Sequence, residues 1–122
     1  MVTAAGVIAA LLLVLLCVFQ AALASGAPVG HYAWGGQHRV LPTNLRIGSG
    51  VTVLIYLALA VVALGAAGVI AWSPPGALVW AVFGLLALGI VMNAISRSKP
   101  ERMVMTPFVT VLAACFLILA LG

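Results

Sequence analysis

Four stretches of this chain, residues 2–25, 51–72, 77–95 and 106–121, contain no Lys, Arg, Asp or Glu. Each is mostly apolar and close to the roughly 20 residues that a helix needs to cross the hydrocarbon of a bilayer. In lipid, backbone N–H and C=O groups must be satisfied inside the protein, and a lone apolar stretch does this only as a helix. The pattern predicts an all-α membrane protein. It would be one domain, 1–122, of four transmembrane helices in an antiparallel bundle. Loops 26–50 and 96–105 would flank a short turn.

Composition matters here for what it excludes. The 122 residues carry five Lys or Arg and one acidic residue, where a soluble domain of this size has about thirty charged groups. A water-soluble globular domain, a disordered tail and a nucleic-acid module are all ruled out by that shortage. The net charge of +4 sits between apolar stretches, so anionic lipid headgroups are the expected counter-charge, not nucleic acid.

The first stretch needs separating from a secretory leader, since Ala22-Leu23-Ala24 resembles a cleavage site. Residues 1–6 hold no Lys or Arg, and the apolar run from Val7 to Ala24 exceeds the usual core of about 7–15 residues. It reads as a membrane helix.

Orientation follows from the basic residues. Arg39, Arg46, Arg97, Lys99 and Arg102 all fall in the first and third loops. Cytoplasmic loops carry the Lys/Arg excess, so the two termini and the turn Ser73-Pro74-Pro75-Gly76 are expected outside. That turn would make segments two and three an antiparallel hairpin. Trp72 and Trp80 bracket it, and Tyr32 and Trp34 lie in the first loop, as aromatic belts prefer. Thr106-Pro107 reads as the start of the last helix, with Thr as cap and Pro in the first turn.

Small residues suggest where helices approach. Ala63, Ala67 and Ala71 recur every four residues, with Gly65 and Gly68 beside them and Gly84 and Gly89 on segment three. Such residues let backbones come close in lipid, either inside the hairpin or at an oligomer face. Segments one and four, richer in Leu, Val, Ile and Phe, are expected to be the more lipid-exposed.

Residues able to carry chemistry are few. No segment holds an ionisable carboxylate, Lys or Arg, which argues against proton antiport, charge-coupled pumping and voltage sensing. Glu101, the one acidic residue, is expected to pair with Arg97, Lys99 or Arg102 at the surface. Gln20 is the most polar group at membrane depth. It either lines a pore or substrate cavity, or bonds a neighbouring helix; Asn93, Thr52 and Thr110 share the structural reading. His31 and His38 are the only imidazoles and lack the further ligands that metal sites use. Ser49, Ser96 and Ser98 have no carboxylate–histidine pair to activate them. Cys17 and Cys115 lie in apolar runs and behave as small hydrophobes. No catalytic residue, cofactor or metal site is expected.

The two charged loops are the most distinctive feature. Trp34, Arg39, Arg46, Asn93, Arg97, Lys99 and Arg102 could meet on one cytoplasmic face and bind phospholipid headgroups or a partner subunit. The set Asn93, Ser96, Arg97, Ser98, Glu101, Arg102 and Pro107 before a final apolar helix resembles a family of small bacterial four-helix integral membrane proteins. Trp34-Gly35-Gly36 with Leu41-Pro42 beyond it does so too. The resemblance implies the fold and a multi-pass setting in the bacterial inner membrane. No activity is assigned to that family, so it transfers no functional residue.

The sequence thus predicts a non-enzymatic membrane protein acting by association, as an accessory or structural subunit or as a homo-oligomer. A small oligomeric transporter or channel, with Gln20 and Asn93 along the route, is the alternative. A haem- or metal-binding redox protein using His31 or His38 is a third reading.

Overall fold

The computed structural model describes residues 1–122 and is all-helical. Its long helices are α1, Val2–Ala24; α2, Thr43–Ala66; α3, Gly76–Ala94; and α4, Lys99–Leu121. All four are long and apolar enough to span a membrane. Two short 3₁₀ turns, Gly30–Tyr32 and Trp34–Gly36, fill the first loop.

Several boundaries differ from the sequence expectation, each for a local reason. Pro42 stands just before α2 with extended backbone, so the helix starts at Thr43 and takes Arg46 into its first turn. At the other end Gly68 adopts φ +74°. The Val69 N–H donates to the Leu64 carbonyl and the Gly68 N–H to the Gly65 carbonyl, the paired bonds of a Schellman stop. Helix α2 therefore ends at Ala66, six residues early. The chain then folds back over Gly65, where an added Cβ would lie 2.7 Å from the Trp72 carbonyl oxygen.

Helix α4 begins at Lys99 and not at Thr106. Ser98 caps it by accepting from the Glu101 N–H at 3.4 Å, and Pro100 sits in the first turn. Pro107 lies inside the helix, which leaves the Met103 carbonyl without its usual N–H partner. Membrane helices accommodate such a break where neighbouring groups take up the freed carbonyl.

Helix α1 packs along α2, α4 along α3, and the central seam joins α1 to α4, while α2 and α3 barely touch. The expected α2–α3 hairpin contact is thus replaced by α1–α2. Gly6 on α1 is the close-approach residue, with Ala63 and Ala67 against its bare Cα. Ala71 lies beyond the helix, and Gly84 has no neighbouring atom within 4 Å of an added Cβ. Leu13, Leu112 and Phe116 fill the core and are completely buried.

This arrangement reverses the expected exposure. The apolar windows of α1 and α4 are 39% and 33% buried, against 28% and 17% for α2 and α3. Bulky side chains on the first and last helices face neighbouring helices, α1 against α2 and α4 against α3 above all.

Gly122 abuts Val2, so the two termini share one end of the molecule. The Pro74 loop shares that end, since Gly65, Pro74 and Gly122 line a common crevice. At the opposite end the first loop meets the start of α4, and every charged side chain of the chain belongs to that end.

Candidate functional site

The charged end is built from a few long-range bonds. Glu101, in the first turn of α4, is buried. Its Oε2 accepts from the Gly35 backbone N–H at 3.0 Å and from the Ser96 hydroxyl at 3.1 Å. The Ser98 hydroxyl donates to the His31 carbonyl, and the Ser98 N–H donates to Ser96 Oγ at 3.2 Å. In a capping box the Glu at this position reaches back to the cap residue's own N–H. Here that N–H is served by Ser96, and the Glu101 side chain holds the first loop instead.

Backbone geometry explains the Trp-Gly-Gly sequence of that loop. Trp34, Gly35 and Gly36 all have positive φ, at 53°, 77° and 71°. Glycine adopts this conformation freely, whereas a residue with a Cβ gives up about 1–2 kcal/mol. Trp34 is held there by its indole N–H, which donates to the fully buried Ser49 hydroxyl at 3.0 Å. Gly36 lies flat against Ser98, leaving no room for a side chain.

Beneath this loop lies a cavity of about 260 Å³ between the α1–α2 pair and the α3–α4 pair. Its polar lining is Gln20, Thr52, Tyr56, Asn93 and Glu101, and its walls include Tyr32 and Trp34. Gln20 is 9% exposed, and its Oε1 is buried with no hydrogen-bond partner. The Asn93 amide nitrogen donates to the Gly89 carbonyl at 2.8 Å. Thr52 donates to the Gly48 carbonyl at 2.8 Å. An apolar groove of about 280 Å³ between α2 and α3 adjoins the cavity, with Leu16, Thr52, Tyr56, Asn93 and Val109 lining both.

The sequence-predicted site residues divide. Gln20, Asn93 and Trp34 meet at the cavity. Arg46 is a structural residue, its Nε donating to the Ala24 carbonyl at 2.9 Å. Arg102 likewise donates from Nη1 to the Ser96 carbonyl at 2.8 Å. Arg39, Arg97 and Lys99 project into solvent. His31 and His38 are exposed, and no three His, Cys, Asp or Glu side chains come together anywhere in the fold.

Glu101 departs most from expectation. It does not pair with Arg97, Lys99 or Arg102; its partners are a backbone amide and a serine. The available signal was Ser98-x-x-Glu101, a cap spacing that places Glu101 in a helical first turn. Tyr56 was missed as well, although it falls one helical turn beyond Thr52 and so shares its face. No protein-family model matches the chain, and no curated protein or solved structure matches it.

Proposed function

We propose that this chain is a non-enzymatic, multi-pass protein of a bacterial inner membrane that binds a small solute in the cavity at its charged end. Gln20 carries the reading. A buried amide oxygen without a partner costs about 1–3 kcal/mol, and buried polar groups in folded proteins are nearly always satisfied. An oxygen left open on the wall of a cavity is accounted for by a ligand that fills the space. The strained backbone of Trp34 on the same wall supports this, since such strain gathers at ligand sites.

The contact of Gly6 with the last turns of α2, and of Gly122 with Val2, supports an antiparallel bundle. With all basic residues at one end, that end faces the cytoplasm and the termini face outward. The cavity then opens on the cytoplasmic side, which suits a carrier or a solute-sensing subunit. Association was expected from the polar loops and the small-residue stripes, of which Ala63 and Ala67 pack inside the chain against Gly6. Exposed Leu, Val and Ile on these helices are what any lipid-facing helix presents.

Native mass spectrometry of the full chain extracted in mild detergent tests the proposal. The expected spectrum shows a small molecule bound to the wild type and absent from Gln20→Leu. A wild type that carries nothing, or a variant that retains the same molecule, removes the cavity from the account.

A further inference from the structure

We infer that the solute is a primary alkylammonium, its charged head held by Glu101 and Gln20 and its chain lying in the groove between α2 and α3. This rests on the reading of the cavity as a ligand site and adds the chemistry of the ligand.

Hydrogen-bond inventory decides the head group. Gln20 Oε1 has no hydrogen-bond partner, its amide meeting the Tyr56 hydroxyl through the nitrogen instead. Glu101 takes its two bonds at Oε2, leaving Oε1 as a second open acceptor. Asn93 spends its amide nitrogen on Gly89 and keeps Oδ1. An ammonium is the complement of such a set, since it has three donors and no acceptor. An alcohol would satisfy one of these oxygens, and an ionised carboxylate none.

Charge points the same way. No Lys, Arg or His lines the cavity. The two nearby arginines are turned to backbone carbonyls, Arg46 to Ala24 and Arg102 to Ser96. The one acidic group of the chain is therefore the one charge on the wall. Tyr32, Trp34 and Tyr56 line the same cavity, and an aromatic face presented to a cation attracts it further, by about 0.5–2 kcal/mol.

Size and polarity set the rest of the molecule. At about 30 Å³ per water, 260 Å³ holds a compact head and not a large polycyclic drug. The adjoining groove presents Ile55, Leu59, Leu85, Leu86 and Leu112, an apolar run suited to an alkyl chain entering from the lipid side.

The test uses the full chain in phosphatidylcholine nanodiscs, with Trp72→Phe and Trp80→Phe leaving Trp34 as the sole indole. Trp34 emission is titrated with n-hexylammonium chloride, 1-hexanol and sodium hexanoate. Hexylammonium is expected to saturate at least tenfold more tightly than hexanol, and hexanoate to give no saturable change. Glu101→Gln should bring hexylammonium to within about threefold of hexanol while leaving hexanol unchanged. Gln20→Leu, which leaves the Glu101 bonds intact, should weaken hexylammonium about tenfold; it keeps the test decisive if Glu101→Gln unfolds. Hexanol or hexanoate binding as tightly as hexylammonium overturns the ammonium assignment and leaves the cavity reading standing. Hexylammonium binding unchanged in Gln20→Leu also overturns the assignment. If none of the three probes changes Trp34 emission, both fall.

Discussion

The Gly35 backbone N–H donates to Glu101 Oε2 at 3.0 Å across 66 positions of sequence, and the first loop is thereby fastened to the start of the last helix. A hydrogen bond to a carboxylate contributes about 1.5–3 kcal/mol, more than one between neutral groups. Glu101→Ala removes this bond and the one from Ser96. It should lower stability in detergent by about 2–4 kcal/mol, with Glu101→Gln about half as damaging because its amide oxygen still accepts. Chemical unfolding followed by Trp emission reads both. An alanine variant as stable as the wild type would show that the fastening contributes nothing.

Adjacent glycines should respond differently to the same change. Gly35 and Gly36 both have positive φ, but only Gly36 is pressed against Ser98. Gly35→Ala is expected to cost about 1 kcal/mol, from backbone strain alone. Gly36→Ala should cost at least about 1 kcal/mol more and accelerate amide exchange through residues 31–36. Equal effects would mean that the contact with Ser98 adds nothing.

Two further glycines separate packing from propensity. Gly6→Leu places a side chain into Ala63 and Ala67 and should destabilise by about 3 kcal/mol or more, the scale of severe overpacking. Gly84→Ala meets open space and should be neutral or gain up to about 1 kcal/mol from helix propensity. Thermal unfolding in detergent compares them, and a harmless Gly6→Leu would refute the α1–α2 contact.

Orientation is open to a labelling experiment. In a background of Cys17→Ala and Cys115→Ala, a membrane-impermeant maleimide applied to spheroplasts should modify Ser73→Cys and spare Arg97→Cys. In inverted vesicles the pattern should exchange. The opposite labelling would reverse the assignment made from the basic residues.

Much of the fold is legible in the sequence because hydropathy is a property of composition, and each apolar stretch did become one helix. Boundaries were less so. Arg46 and the run from Lys99 to Arg102 look like loop because they are charged, yet they occupy first turns of helices. Gly68 reads as a packing residue and is the stop signal of α2. Partner choice was not legible at all. Lipid is as apolar as a neighbouring helix, so hydropathy carries no information on which face of α1 meets α2 or α4.

The site shows the same divide. Gln20 announced itself as an amide in an apolar run, and Asn93 followed from its place near the end of α3. Glu101 was misleading because its sequence neighbours Arg97, Lys99 and Arg102 suggest pairing, while its actual partner Gly35 lies far away in the chain. Backbone amides are invisible in composition, and this one is aimed at Glu101 by three successive positive-φ residues.

The scarcity of contact between α2 and α3 has a mechanical result. Each outer helix is carried by its inner partner, so the molecule is two arms meeting at one lengthwise seam and latched at the charged end by Gly35, Ser98 and Glu101. Gln20, Thr52 and Tyr56 ride on one arm, Asn93 and Glu101 on the other. The proposed ligand, seated between them, would grip both arms at once, and a few degrees of splay at the seam would widen or close its seat without unfolding a single helical turn.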